Sequence, residues 1–234
     1  MSNLDSTKDK HERGYPSTKD HLKNLILKSL DTDYVSESCK DSIQTGNHYQ
    51  SLTLGDVRTT GFRTDREEFL DQIYFQGKKV LDLGSNLGEI SRVARTRGAY
   101  LVDGFEYDQY FLEIANLVNA YNDVTRVSFY QRDITDPSVY TEHYDIVLAF
   151  SVFTYVHSAL EQIAAITNQL FILETHKLEG NLDSDYLRPV LQYFPYCKIL
   201  GESEWGAKFD ASEKRAVVAF AKDSWAFAGT LHSP

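Results

Sequence analysis

The stretch Val80-Leu81-Asp82-Leu83-Gly84-Ser85-Asn86-Leu87-Gly88 constrains this chain more than any other. Val80, Leu81 and Leu83 form a short apolar run of the kind that a parallel strand buried on both faces requires. Two glycines follow, and a helical pattern begins at about Glu89. Strand, tight turn and helix in immediate succession predict an α/β fold with a ligand at the turn. Glycine permits backbone angles that other residues resist, and the first N–H groups of the helix point at whatever lies in front of them. The spacing excludes the dinucleotide pattern G-x-G-x-x-G, because Asn86 stands between Gly84 and Gly88. Asp82, two residues before the first glycine, suits a ligand with a cationic end.

The 234 residues suffice for one large α/β domain or two small ones. A formal net charge of −10 disfavours general nucleic-acid binding, which needs a basic footprint. No apolar run reaches the ~18 residues of a membrane-spanning helix. The polar opening residues do not read as a secretory signal. Cys39 and Cys197 form neither a metal pattern nor a disulfide framework. Together these predict a cytoplasmic protein with reduced thiols.

Residues 1–46 read as a polar tail with one helix, carried by Leu22, Leu25, Ile26 and Leu30, that could cover an active site. Residues 47–225 read as the main domain, and 226–234 as a loose tail. Within the domain, Ser51–Leu54 suggests a short strand ending in a Gly55-Asp56 turn. Thr64 with Glu67 suggests a capping box for a helix reaching Gly77. Ile90, Val93 and Ala94 give one helix face, with Arg92, Arg95 and Arg97 expected in solvent. Strands are expected at Tyr100–Glu106, Val127–Tyr130, Tyr144–Ser151, Leu170–Glu174, Cys197–Gly201 and Arg215–Ala221. Helices are expected over Phe111–Tyr121, Ala159–Leu170 and Leu187–Tyr193. Glu106 ends the second strand about twenty residues past the glycine turn, where an acid accepts from two ribose hydroxyls. Asp103 falls earlier, in mid-strand, and Asp108 later, in the following turn; Glu106 is the favoured acid. Tyr107 beside it could pack on a base.

VLDLGSNLG resembles motif I of the class I methyltransferases that use S-adenosylmethionine, with Asn86 where a glycine is usual. The resemblance runs from about Gly77 to Ala221. It implies a Rossmann-like, seven-stranded, mostly parallel sheet flanked by helices, with the last strand antiparallel. It implies that Asp82, Gly84, Ser85, Asn86 and Gly88 hold the methionine part of S-adenosyl-L-methionine. Asp133 matches the acid that accepts from the adenine amine, and Ile134 the residue packed on the ring. Arg63, or Arg58, matches an arginine that meets the cofactor carboxylate. Residues just past the fourth strand line cofactor and substrate in that family, which puts Phe150, Tyr155 and His157 at the site. Glu174 and His176 emerge at the carboxyl end of the fifth strand, where α/β sheets place ligand contacts.

The reading is a methyltransferase acting on a hydroxyl, amine or similar nucleophile of a small molecule or a sugar or glycan intermediate. His157 and His176 are its candidate bases, since histidine changes charge near neutral pH. Glu174 and Tyr155 are its candidate acceptor contacts. No metal-ligand cluster is evident, and nothing sets the oligomeric state. A nicotinamide-dependent oxidoreductase and a non-catalytic nucleotide-binding scaffold of the same fold are the alternatives.

Overall fold

The computed structural model describes residues 18–30, 48–59, 61–63, 65–175, 187–204 and 214–231. In chain order the elements are α1 (Thr18–Leu30), β1 (His48–Gln50), β2 (Thr53–Leu54), β3 (Val57–Arg58), β4 (Gly61–Arg63), α2 (Arg66–Leu70), β5 (Lys79–Leu83), α3 (Glu89–Thr96), β6 (Leu101–Glu106) and α4 (Gln109–Tyr121). There follow β7 (Val127–Gln131), β8 (Tyr144–Ala149), α5 (Phe153–Val156), α6 (Leu160–Ile166), β9 (Thr167–Glu174), α7 (Arg188–Tyr193), β10 (Tyr196–Glu204), β11 (Lys214–Ala221) and α8 (Trp225–Thr230).

Seven strands form one sheet in the order β10-β11-β9-β8-β5-β6-β7. The pairs from β9 to β7 are parallel, and β11 runs antiparallel to both β9 and β10. This is the Rossmann-like sheet that the resemblance implied, with the last strand reversed. The central strands are mostly apolar because both faces of the sheet are covered. Leu81, Leu83, Val147, Ala149, Phe171 and Leu173 enter one core with α5, α6 and α7. Val80, Val102, Ile146, Leu148, Leu170 and Ile172 enter the other with α2 and α3. A third cluster joins Ile26 and Leu30 of α1 to Leu52, Leu54, Leu87 and the α4 residues Phe111, Ile114 and Val118. The N-terminal helix is therefore fastened beside the glycine turn by apolar burial.

Several local expectations differ. The helix after residue 64 is only Arg66–Leu70; Ile73 leaves it to bridge Leu231. Thr64 lies outside the described residues, and Glu67 pairs with Arg58. The helix expected to reach Leu170 stops at Ile166, because Thr167 already begins β9. Arg92 is not solvated: it is 6% exposed, with its guanidinium donating to Leu87 O at 2.6 Å and paired with Glu89. The C-terminal residues described, up to Leu231, are packed. Trp225–Thr230 is helical, Tyr74 N donates to Thr230 O at 2.8 Å, and Thr230 Oγ1 donates to Gln169 Oε1 at 3.1 Å.

Among the described residues no helix is long and apolar enough to cross a membrane. No group of three or more His, Cys, Asp or Glu among them could hold a metal ion. Cys197 is a half-buried free thiol, and Cys39 lies outside the described residues.

Candidate functional site

The chain leaves β5 for β6 and then β7 on one side, and returns to β8 on the other. That reversal opens a crevice at the carboxyl ends of β5 and β8, the place where open α/β sheets bind ligands. The turn after β5 fills it with backbone. Gly84, Asn86 and Gly88 have φ of 69°, 50° and 79°. A Cβ on Gly84 would meet Val152 Cγ1 at 2.4 Å, and one on Gly88 would meet Phe129 Cζ at 2.2 Å. Glycine is thus required at both positions by conformation and by space. Asn86 has a side chain but belongs to the residue type that tolerates the left-handed region, which explains why asparagine serves here. The N–H groups of Gly84 and Ser85 both donate to Phe105 O at 2.9 Å, tying the turn to β6.

Two buried polar atoms in the turn, Ser85 Oγ and Asn86 Oδ1, have no hydrogen-bond partner among the described residues. Such orphans are rare in native structures and fit a site that a polar ligand completes. Glu106 faces the turn across the crevice. Its Oε2 accepts from Asn86 N at 2.7 Å and its Oε1 from Asp108 N at 2.9 Å. Each oxygen retains a second lone pair. Burial pushes the Glu106 carboxyl above its usual range, and the two N–H donors oppose that rise. The rival acids are occupied elsewhere: Asp103 accepts from Tyr144 Oη at 2.9 Å, and Asp108 caps α4 through Tyr110 N.

Asp82 is 2% exposed and accepts from Ser91 Oγ at 2.6 Å. Burial raises its carboxyl to about 7, against the pull of Ser91 and Arg66. Tyr107 stands 68% exposed at the end of β6. Asp133 is exposed beyond β7, with Oδ1 accepting from Thr135 N at 2.9 Å and Thr135 Oγ1 at 2.7 Å. Ile134 beside it is buried. Phe150 is buried past β8, with the Arg66 guanidinium 5.9 Å from its ring centroid. Tyr155 is exposed on α5. His157 is half-buried and edge-on to Phe153 at 4.5 Å. Its Nε2 is enclosed without a hydrogen-bond partner among the described residues, and burial lowers its pKa. His176 lies outside the described residues.

Glu174 does not open towards an acceptor. It is 0% exposed, and both its oxygens are engaged. Oε1 accepts from Arg63 and from Ser203 Oγ at 2.6 Å. Oε2 accepts from Arg66 at 3.0 Å and from Ser151 Oγ at 2.6 Å. Arg215 donates to Ser151 Oγ at 3.1 Å. Burial alone would raise the Glu174 carboxyl, but Arg66, Arg63 and the two hydroxyls outweigh it and hold it at about 2. Arg63 is thereby fixed at the carboxyl end of β9, while Arg58, paired with Glu67, stays at the surface.

Sequence reasoning missed Gln50, Arg66, Ser203 and Arg215. None of them lies in a motif, and a polar residue buried by distant elements leaves no periodic signal. Gln50 is 5% exposed and touches the glycine turn at two points.

Residues 80–170 match a family described as a methyltransferase domain. No curated protein matches the sequence. Among solved structures, the bifunctional kinase-methyltransferase WbdD is similar with a TM-score of 0.58 at 16% identity, covering 76% of this chain and 44% of that one. The present chain thus spans less than half of that protein's length. A putative S-adenosylmethionine-dependent methyltransferase from Listeria monocytogenes is similar with a TM-score of 0.53 at 16% identity, covering 67% of this chain and 97% of that one. The magnesium protoporphyrin IX methyltransferase of Synechocystis, with bound cofactor, gives 0.50 at 17% identity, covering 63% and 71%. At these identities the likeness to solved structures is one of fold. The sheet order, the motif-bearing turn and the match to a methyltransferase domain fall on the same strands, so residues 80–170 are similar to methyltransferase domains in sequence and the sheet shares their fold.

Proposed function

We propose that the crevice at the ends of β5, β6 and β8 holds S-adenosyl-L-methionine, and that the chain methylates a hydroxyl, amine or similar nucleophile of a small molecule or a sugar or glycan intermediate. The observation that carries the reading is Glu106 facing Asn86 N at 2.7 Å, beside the orphaned Ser85 Oγ and Asn86 Oδ1. When bound, the cofactor supplies a methyl group already activated by a sulfonium. Glu106 accepts from the ribose diol through its remaining lone pairs. Gly84, Ser85, Asn86 and Gly88 cradle the methionine end, and Asp82 supplies a carboxylate towards its cationic groups. Tyr107 and Ile134 flank the adenine, and Asp133 accepts from its amine. Phe150 closes the crevice floor against water. Arg63 meets the cofactor carboxylate, and Glu174 serves by fixing Arg63.

On the acceptor side, His157 takes the proton from the nucleophile. Its lowered pKa keeps the ring neutral at physiological pH, the state a base requires. Tyr155 offers an exposed ring to the acceptor. The net charge of −10 supports a small acceptor over a nucleic acid. The structural neighbours act on varied acceptors, a ribosomal protein and a porphyrin among them, so the fold leaves the acceptor open.

Calorimetric titration with S-adenosylmethionine, with its demethylated product and with NAD tests the cofactor half. Micromolar binding of the first two, abolished in Glu106→Ala, is expected; binding of NAD alone would overturn the reading. Transfer of labelled methyl to a panel of sugars and small hydroxyl and amine compounds tests the acceptor half. His157→Ala is expected to lower turnover while leaving cofactor affinity unchanged. Cofactor binding without transfer to any acceptor class would favour the scaffold alternative.

A further inference from the structure

The glycine turn needs to be held, because three of its residues sit at positive φ and the N-cap residue of its helix makes no side-chain cap. The N-cap of α3 is Gly88, which offers no oxygen to the first N–H groups of the helix. Gln50 stands in for it from 39 positions upstream. Its Oε1 accepts from Glu89 N at 3.2 Å, and its Nε2 donates to Ser85 O at 3.3 Å. Ser85 O also accepts from Gly88 N at 2.8 Å, so the one amide group grips both ends of the 85–88 turn. Thr53 Oγ1 adds a bond to Glu89 Oε1 at 2.8 Å from the same segment. From the other side Arg92 holds Leu87 O at 2.6 Å.

Gln50 itself is fixed by β1, which pairs in parallel with β4 in the register Gln50–Arg63. The two strands approach so closely that a Cβ on Gly61 would meet Ser51 N at 2.2 Å. This two-stranded strap therefore reaches the glycine turn through Gln50 and the Glu174 cluster through Arg63.

We propose that Gln50 is a positioning residue for the cofactor: its amide caps α3 and sets the 84–88 turn in its binding geometry, a role that rests on the reading of the crevice as the S-adenosylmethionine site. An amide is required because the two contacts need a donor and an acceptor on one group. Gln50→Leu keeps the bulk and removes both. Gln50→Glu keeps the acceptor for Glu89 N and removes the donor to Ser85 O.

The test measures two quantities on the full chain: affinity for the demethylated cofactor by calorimetry, and hydrogen exchange at the Glu89 amide without ligand. In Gln50→Leu, affinity is expected to fall about tenfold and Glu89 exchange to accelerate by a similar factor, as for two lost buried hydrogen bonds. In Gln50→Glu, Glu89 protection is expected to persist with an intermediate affinity; this variant carries the test if the leucine variant fails to fold. A purely structural role would lower the melting temperature and leave the affinity of the folded protein unchanged. Wild-type binding with Gln50→Leu affinity within about twofold of it, or with unchanged Glu89 exchange, overturns the inference alone. Absence of binding by the wild type overturns the reading of the crevice, and the cofactor role of Gln50 with it.

Discussion

Asp82 and Glu174 are buried to the same degree, at 2% and 0% exposure, yet their carboxyls move in opposite directions. Asp82 has a hydroxyl as its hydrogen-bond partner and is raised to about 7 by burial. Glu174 has guanidiniums on both oxygens and is held at about 2. Desolvation penalises both anions; the partners decide which outcome wins. The lesson extends to the regions around them. The glycine turn, the proposed cofactor site, leaves two buried polar atoms, Ser85 Oγ and Asn86 Oδ1, without a hydrogen-bond partner among the described residues. The Glu174 cluster is a closed knot that joins β4, α2, β9, β10 and β11. One region leaves polar atoms unsatisfied, and the other satisfies a buried carboxylate by joining distant elements.

Substitutions should separate the two. The largest effect is expected at Glu174→Ala, which leaves Arg63 and Arg66 without their shared carboxylate. It should destabilise the fold by roughly 3–5 kcal/mol in denaturant unfolding. A loss under about 1 kcal/mol would mean that the cluster does not fasten the strap. Next is Glu106→Ala, expected to weaken cofactor affinity on the order of a hundredfold in calorimetry, with a much smaller change in unfolding. Similar losses of stability at both sites would erase the distinction between turn and knot.

The pH dependence gives a third contrast. Asp82 binds its proton more tightly folded than unfolded, so its contribution falls as pH rises from about 4 to about 7. Glu174 binds its proton more weakly folded, so its contribution is present above about 4.3 and is lost as pH falls towards 2. Asp82→Asn should therefore flatten the stability profile between about pH 4 and 7, gaining on the order of 1–3 kcal/mol at its upper end. Glu174→Gln should flatten it on the acid side. The smallest effect is expected at Asp133→Ala. Its carboxylate closes a local turn at the surface, so unfolding should change by about 0.5 kcal/mol or less. Cofactor affinity should fall by only about two- to fivefold.

How legible each region was follows from how it is built. The turn could be read because strand, glycines and helix are contiguous, and Glu106 because a strand of ordinary length ends at it. The knot could not be read, since Arg63, Arg66, Ser151, Glu174, Ser203 and Arg215 are brought together only by strand order. Glu174 was found by its place at a strand end, but that place says nothing of whether the side chain opens to ligand or closes on arginine. Arg92 misled for a related reason. Its neighbours in sequence suggest a solvated helix face, while Leu87 O and Asn119 await it in the folded chain. The C-terminal helix was missed because its anchors, Tyr74 and Gln169, lie far upstream.

By itself the sequence determined the alternation of strands and helices, the glycine turn at the end of β5 and the acid at the end of β6. These depend on local backbone preference and on apolar runs, which neighbouring residues encode. Only the tertiary structure decided that Gln50 caps α3 from outside it, that β11 inserts between β9 and β10, and that one buried carboxyl is raised while another is depressed. Those outcomes depend on which groups meet after the chain has crossed the sheet, and a hydrogen bond or a field acts through space, not along the chain.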